Sequence, residues 1–330
     1  MKSKPVVLTS YAGRAISLLI VSIIATSIGP FRVAADEAIP LSQVLNAWRK
    51  REQLVKSFRF QWSEDHFQAK GSLELPPAPQ YEDVVFPPKD TTYRVKSSCE
   101  MVQNAMRYSF SGESLQRYNE GALEHREYVS ASDGDVSKAF WPIPNKLRNY
   151  PKGVIFDEKI CSDASTLDVK PLLWMYRALD PRFAFSENQL QLLPRTGVID
   201  GRACAIVGFV NGQTKYSIWT DPARDFVPLR FTISSSVTGE TMTQADITYR
   251  QDPSHGWTPT GWRIVQRANG DLRRSIVARV TDSAINIAIP RSRFQIDFPP
   301  GTVVIDMRNN SERYVVGADG SKQIPRDPRD

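Results

Sequence analysis

The first pattern along the chain is helical and covers residues 40–56. Apolar residues recur there at spacings of three, four and seven, namely Leu41, Val44, Leu45, Trp48 and Val55. This spacing places one apolar stripe along an amphipathic helix. Pro40 stands at or just before the first turn, where a missing N–H costs least. The pattern therefore predicts a first helix over residues 40–56.

Directly after this helix the period changes to two. Phe58, Phe60 and Trp62 alternate with polar residues. Because successive side chains of a strand point to opposite faces, this alternation predicts a strand with one aromatic face.

Similar alternation recurs and predicts about ten strands in all. The further predicted strands cover residues 92–102, 106–110, 128–140 (a hairpin turning at Asp133-Gly134), 203–210, 215–220, 226–234, 241–249, 262–267, 274–283 and 294–298. A second helix is predicted over residues 167–179. The five prolines within residues 73–90 indicate an extended surface excursion. Strands that are neighbours in sequence favour an antiparallel meander, and two helices make the class α+β.

Each predicted strand has one dry face and one wet face. Leu229 and Phe231 share a face, and Arg230 points the other way. A single sheet of this many strands accumulates twist, so we expect a strongly curved antiparallel half-barrel with the helices on its concave face. Tightly packed helices would make that face a plain core, whereas loosely packed helices would leave an apolar cavity. Periodicity does not separate these two outcomes.

The N-terminal 35 residues have the pattern of a cleavable export signal. Three cations, Lys2, Lys4 and Arg14, precede an apolar run over residues 15–28, and small residues precede Asp36. The run is short for a membrane-spanning helix. We therefore expect residues 1–35 to be removed, residues 36–316 to form one domain, and residues 317–330 to form a flexible polar tail. The mature chain would be soluble and periplasmic or extracellular, without a transmembrane segment.

Removing this signal changes the charge of the protein. The whole chain has 42 Lys and Arg against 36 Asp and Glu, and four of the cations but none of the acids lie within residues 1–35. The remaining excess is too small to favour nucleic-acid binding. The three cysteines, Cys99, Cys161 and Cys204, allow one disulfide and one free thiol in an oxidising compartment, with the pairing left open.

The sequence lacks the common catalytic and metal-binding motifs. The sequence contains no nucleophile elbow, zinc-protease motif, dinucleotide fingerprint or phosphate-binding loop. His66 and His255 stand beside polar or turn residues, so a solvent-exposed imidazole is expected for each. The cluster of Glu120, Glu124, His125 and Glu127 is interpreted as a solvated face rather than a metal site. We predict no catalytic residue, no metal and no cofactor.

Residues 261–295 contain seven arginines and two aspartates. Three of these arginines, Arg263, Arg267 and Arg279, are candidates for contact with an anionic envelope partner. The alternative interpretation is the wet face of a sheet, where arginine is common and discourages edge pairing.

Three segments resemble the lipoprotein-localisation-factor (LolA/LolB-like) superfamily. They are VKSFRFQWSE at residues 55–64, YSIWTDPARDFVPLRF at residues 216–231 and FQIDFPPGTVVID at residues 294–306. The resemblance implies a curved antiparallel sheet with helices on the concave side, and an enclosed apolar cavity that holds a lipid or the acyl chain of a lipoprotein. The Pro-rich excursion and the greater length of this chain depart from the family pattern.

Together these features predict an exported, non-catalytic protein that binds an apolar or lipidic ligand. The candidate cavity-lining residues are Phe58, Phe60, Trp62, Tyr108, Phe110, Leu229 and Phe231. The alternative is a structural or interaction module of the cell envelope, with a closed core and the arginine-rich face as its contact surface.

Overall fold

The computed structural model describes residues 39–73, 85–115, 122–144, 149–157, 161–194, 196–308 and 311–324. The predicted export signal and most of the Pro-rich excursion lie outside these residues. Residues 85–90 contain no helix or strand. The described residues belong to one compact unit. The proposed domain limits stay a prediction, and residues 325–330 of the predicted tail are outside the described part.

The predicted first helix is confirmed as α1, Leu41–Leu54. It buries Val44, Leu45 and Trp48 on one side, as the spacing indicated, and also Arg51. It ends where Val55 takes an extended conformation (φ −101°, ψ 94°). The second helix, α2, covers only Lys170–Tyr176, which is shorter than the predicted 167–179. Pro171 lies in its first turn, and Arg177 leaves helical geometry at φ −142°.

The described residues contain seventeen strands, so the expected count of about ten is wrong. Six precede α2: β1 Ser57–Gln68, β2 Thr91–Val102, β3 Ala105–Leu115, β4 Leu123–Ser132, β5 Ser137–Trp141 and β6 Lys152–Phe156. Eleven follow it: β7 Gln191–Leu192, β8 Gly197–Ile199, β9 Arg202–Asn211, β10 Thr214–Asp221, β11 Val227–Ser235, β12 Thr241–Asp252, β13 Gly256–Ala268, β14 Asp271–Ile285, β15 Val303–Asp306, β16 Glu312–Val316 and β17 Lys322–Gln323. Most of the extra strands are too short to show clear alternation.

Strand β1 lies in the middle of the sheet. It pairs antiparallel with β2, where Trp62 faces Ser97, and with β14, where Trp62 faces Val280. One meander runs from β2 to β6, and another runs from β14 back to β9. The only parallel pairing among the described strands joins β6 to β15, which continues to β16 and β17. The antiparallel meander and the α+β class are confirmed, within a sheet that is mixed at this one place.

The strand predicted over residues 294–298 is wrong. A short 3-10 helix occupies Arg291–Phe294, and the following residues are irregular up to β15. Phe294 and Ile296 are nevertheless buried, and the Phe298 ring lies 5.9 Å from Phe140. The alternating apolar side chains therefore pack this extended segment against the core, although the segment pairs with no described strand.

The sheet curls around α2. The Trp174 ring centroid lies 4.2 Å from that of Phe231 on β11, and the Tyr176 ring lies 5.2 Å from Phe58 on β1. These two strands are separated by β12, β13 and β14, which in a flat sheet would place them about 19 Å apart. Contact of one short helix with both strands indicates a concave face directed at α2.

The covering of this face differs from the expected pair of helices. The segment of residues 161–190, here called the cover segment, includes α2 and continues as irregular chain whose Phe183, Phe185 and Leu190 are buried. Helix α1 lies beside it, with the Trp48 ring 6.4 Å from Phe185. One short helix and an irregular chain thus provide much of the covering that the prediction assigned to two full helices.

Candidate functional site

The concave face is lined by aromatic side chains, as the alternation in β1 predicted. Tyr176 contacts Phe58 and Phe60, with ring centroids 5.2 and 5.9 Å apart. Trp62 reaches across β14 to Trp262, at 5.2 Å. The face is continuous because small residues such as Ala278 stand between the larger rings.

The seven candidate cavity-lining residues all belong to this core or pack against it. Six of them are buried, namely Phe58, Phe60, Trp62, Tyr108, Leu229 and Phe231, and Phe110 is half-buried. The structure therefore brings them together on one face, where the cover segment packs on Phe58, Phe60 and Phe231. Their role in ligand binding stays a prediction.

Polar contacts hold the cover segment on the sheet at its N-terminal end. Tyr128 and Ser130 of β4 both donate hydrogen bonds to the Asp163 carboxylate, the first at 2.7 Å. Asp168 pairs with Arg274 of β14 at 3.3 Å. Burial raises the pKa of the Asp168 carboxyl, and the Arg274 guanidinium opposes that shift. The aromatic cover is thus tied down by carboxylates that are partly or largely withdrawn from water.

The same segment carries a half-buried amine. Lys170 donates to the Phe183 carbonyl at 2.5 Å, and burial lowers its pKa to about 8. This contact closes α2 onto the irregular chain that follows it.

The expected exposure of His66 is wrong. His66 is 6% exposed, its Nε2 lies 2.5 Å from Glu64 Oε2, and its ring stacks on Tyr93 at 4.7 Å. Trp62 donates from Nε1 to the other Glu64 oxygen. Glu64 and His66 have the same parity as Phe60 and Trp62 in β1, so the period-two pattern already placed both on the inward face. The polar identity of the neighbouring residues obscured this signal.

A groove with a volume of about 540 Å³ lies beside the concave face, between α1 and two turns. We call it the α1 groove. Its apolar wall consists of Ala47, Leu54, Val55, Pro222, Phe226 and Trp257. Its polar lining includes Lys50, Arg51, Asp225 and His255. The groove therefore offers both apolar surface and charge, which sequence reasoning did not foresee.

Helix α1 fixes the turn that forms one wall of this groove. Trp48 Nε1 donates to the Phe226 carbonyl at 2.8 Å, and Arg51 Nη2 donates to the Asp225 carbonyl at 2.5 Å. Asp225 and Phe226 both have left-handed φ values, of 52° and 55°. Such a conformation is unfavourable for a bulky residue such as phenylalanine, so the surrounding contacts must hold it.

The three arginines predicted to form a contact surface are exposed on the outer face of the sheet. Arg279 pairs with Asp65 at 2.6 Å, and Arg94 pairs with the other oxygen of the same carboxylate at 2.7 Å. Arg267 donates to the Gly270 carbonyl at 3.2 Å. Arg263 faces Asp246 in the register of β12 and β13, although Asp246 already pairs with Arg230 at 2.5 Å. The face thus mixes cations with carboxylates.

All three cysteines are buried free thiols, so the disulfide that their number allowed is not formed. Burial raises the pKa of Cys161 to about 12, and its sulfur lies 2.9 Å from Ser130 Oγ. Among the described residues, no group of three or more His, Cys, Asp or Glu side chains is placed to hold a metal ion. Glu120 of the predicted solvated cluster lies outside them, and His125 and Glu127 are largely exposed.

No protein-family model matches the sequence, and no curated protein matches it. Solved structures show distant likeness. A crystal structure of a LolA superfamily protein, NE2245 from Nitrosomonas europaea, is 14% identical with a TM-score of 0.41, over 77% of this chain and 98% of that one. MucB in complex with MucA(peri) is 11% identical with a TM-score of 0.27, over 78% of this chain and 60% of that one.

A third likeness is to PNGF-II, at 11% identity and a TM-score of 0.23, over 76% of this chain and 31% of that one. Because all three identities and TM-scores are low, membership of the LolA/LolB-like superfamily stays a proposal. Neither described helix has the length and hydropathy needed to cross a bilayer.

Proposed function

We propose that this protein is an exported, non-catalytic binding protein for an apolar or lipidic ligand, as the LolA/LolB-like resemblance implies. The observation that carries the proposal is the aromatic concave face under a cover segment that contains one seven-residue helix. Removing residues 1–35 and folding residues 36–316 as one domain in the periplasm or outside the cell belong to the same proposal.

Binding would exchange contacts of the cover segment for contacts of the ligand. In the structure Trp174 and Tyr176 fill the space above Phe231 and Phe58. Each ligand CH₂ group buried in their place contributes about 0.8 kcal/mol. A ligand with several such groups can therefore offset the loss of two aromatic contacts.

The cover segment is suited to this exchange because side-chain contacts, and not strand pairing, attach it to the rest of the domain. Asp163 and Asp168 hold its N-terminal end, and Lys170 holds α2 to the chain that follows. Arg177 attaches the middle of the segment to the Val55 carbonyl. Releasing such contacts would free the segment while the pairings of the long strands remain. The proposed lining is the set Phe58, Phe60, Trp62, Tyr108, Phe110, Leu229 and Phe231.

Native mass spectrometry of the mature protein, purified gently from the envelope of its own host, tests the proposal. A co-purifying mass that fragments as a lipid or an acylated peptide is the expected result. The apo mass alone, together with no binding of the apolar dye 1-N-phenylnaphthylamine to the refolded protein, would refute it.

A second candidate function is an interaction module with a closed core. The tight packing of Trp174 on Phe231 favours it, since a filled concave face needs no ligand. Its contact surface would include Arg263, Arg267 and Arg279, all of which are exposed. Binding to an anionic envelope polymer that is lost in a triple Arg→Glu variant at these positions, with dye binding absent throughout, would favour this function over the first.

A further inference from the structure

Arg51 is an unusual residue for the buried side of a helix. It is only 9% exposed, and it lies among the lining residues of the α1 groove. One of its terminal nitrogens, Nη2, donates to the Asp225 carbonyl. The other, Nη1, is buried and has no hydrogen-bond partner among the described residues. A guanidinium has five N–H donors, so this side chain is left with unused donor capacity.

The charge of Arg51 is also incompletely balanced. Within the described part of the chain, the one hydrogen-bonded partner of its side chain is a backbone carbonyl, which is a dipole and not an anion. Burial lowers its pKa, and the groups that oppose this shift are Tyr249, Tyr176, Asp225 and Glu52. An arginine stays protonated at neutral pH despite such a shift. A buried cation without a hydrogen-bonded anion is costly, and a bound anion would reduce that cost.

The surroundings of Arg51 define what kind of anion fits. Lys50 and His255 add basic character to the groove, and Asp225 is the carboxylate that opposes it. The second carboxylate nearby, Asp252, is engaged by the backbone N–H groups of Ser254 and His255 and by the His255 ring. Leu54, Val55 and Trp257 form an apolar wall next to these groups. A volume of about 540 Å³ is in the range of pockets that bind small molecules.

We propose that the α1 groove binds the anionic group of an amphiphile, a carboxylate or a phosphate, at Arg51, with the adjoining alkyl portion against Leu54, Val55 and Trp257. Planar guanidinium groups bind such oxyanions through two parallel hydrogen bonds, which a lysine cannot reproduce. The inference goes beyond the proposed function, because the groove is separate from the concave face and could be occupied whether or not the cover segment opens.

Isothermal titration calorimetry with three probes tests the site. Dodecyl phosphate has the proposed anion and chain, inorganic phosphate has the anion alone, and dodecyl maltoside has the chain with an uncharged head. We expect dodecyl phosphate to bind the wild type at least tenfold more tightly than dodecyl maltoside. Measurable binding of inorganic phosphate would identify a free anion as a sufficient ligand, whereas its absence would identify an amphiphile headgroup. Both results support the site.

Four variants assign the binding to Arg51. Arg51→Gln should lose at least tenfold affinity for dodecyl phosphate, while Lys56→Gln, which removes a nearby cation outside the groove lining, should change it less than twofold. Because Arg51→Gln also removes a structural hydrogen bond, Leu54→Glu provides an independent test. Leu54 is 61% exposed, so this variant should fold, and its carboxylate should weaken binding more than Leu54→Gln does.

The proposal is overturned if dodecyl phosphate and dodecyl maltoside bind equally, if no probe binds, or if Leu54→Glu and Leu54→Gln have the same effect. Failure of the concave-face proposal is distinguishable from these results. If the concave face does not bind apolar ligands, 1-N-phenylnaphthylamine will not bind there. Dodecyl phosphate would still bind more tightly than dodecyl maltoside, because that difference depends on Arg51.

Discussion

At the scale of single residues, the most distinctive feature is a set of polar side chains that lie on buried faces formed mainly by apolar side chains. Arg51 follows Trp48 by three positions and Val44 by seven, so it lies on the apolar stripe of α1. Glu64 and His66 continue the inward parity of Phe60 and Trp62. In each case the spacing is that of a buried position, whereas the polar identity of the residue favours exposure, and exposure is what we predicted for His66. The structure buries all three side chains, each with at least one polar contact.

The hydrogen bond from Trp48 to the Phe226 carbonyl gives a first prediction. Trp48→Phe removes the indole donor and leaves a buried carbonyl without it, so it should reduce the free energy of unfolding by about 1–3 kcal/mol beyond the loss of volume. Trp262→Phe is the matched control, since Trp262 is equally buried and its Nε1 has no partner among the described residues. Urea denaturation measures both. Equal losses in the two variants would contradict the role assigned to the Trp48 bond.

Two aspartates should make opposite contributions to the pH dependence of stability. Burial raises the pKa of Asp168, whereas hydrogen bonds from Arg279 and Arg94 lower the pKa of Asp65. The stability from Asp168 is therefore complete below its unfolded pKa of about 3.9 and is lost as pH rises through its folded pKa. The stability from Asp65 is present above the unfolded value and is lost as pH falls through its folded pKa.

Asn substitutions test the direction in which each carboxyl group changes the stability with pH. From pH 3 to pH 7, the stability of Asp168→Asn relative to wild type should become more favourable, because the amide does not ionise in its buried site. That of Asp65→Asn should become less favourable over the same range. Urea denaturation at pH 3, 5 and 7 provides the measurement, and trends of the same sign in both variants would contradict the assignment. The charged or titratable groups that act on Asp168 include Arg274, Glu64, His66, Asp163, Tyr93 and Tyr108.

At the scale of elements, the cover segment is the part whose structure departs most from the sequence expectation. Residues 167–179 have helical spacing, yet helix forms only over Lys170–Tyr176. Arg177 turns away and donates to the carbonyls of Val55 and Tyr176, at 3.0 and 2.6 Å. Pro181 then disfavours helix for the residue before it. Tertiary hydrogen bonds thus ended a helix that local periodicity would have continued.

Replacing one large side chain of α2 with a smaller one should show whether the cover segment covers a binding surface. Trp174→Leu removes the ring that contacts Phe231, so we expect stronger binding of 1-N-phenylnaphthylamine together with a loss of about 1–3 kcal/mol in stability. Trp219→Leu, on the outer face of β10, is the control and should leave dye binding unchanged. Fluorescence titration of the dye measures the effect. An equal increase in both variants would indicate general loosening and would count against a covered site.

At the scale of the whole molecule, long-range pairing determines the architecture. Strand β1 near the N-terminus joins β14, more than two hundred residues away, where Phe58 faces Ile285. This pairing connects the two meanders and buries Phe58 and Phe60 completely. Strands β15 and β16 instead share a small separate cluster with β6, formed by Ile155, Val304, Tyr314 and Val316. The large core and the small cluster should therefore differ in local stability.

Hydrogen exchange followed by mass spectrometry should reveal this difference. Amides of β15 and β16 should exchange with a smaller opening free energy than those of β1 and β14, because they depend on a smaller apolar cluster. Tyr314→Ala should increase exchange in β15–β17 while leaving β1 protected. Phe60→Ala should increase exchange across the sheet, and a purely local effect of Phe60→Ala would contradict the single large core.

The sequence by itself determined the position of α1, most long strands, the hairpin at Asp133-Gly134 and the inward face of β1. These features follow from periods of 3.6 and two residues, which indicate which side of a helix or strand is buried and which side is exposed. Only the tertiary structure decided that β1 pairs with β14, that an irregular chain covers the concave face, and that Arg51 lies beside a groove. These features depend on which distant segments come into contact, and a local pattern of polar and apolar residues carries no information about its partner.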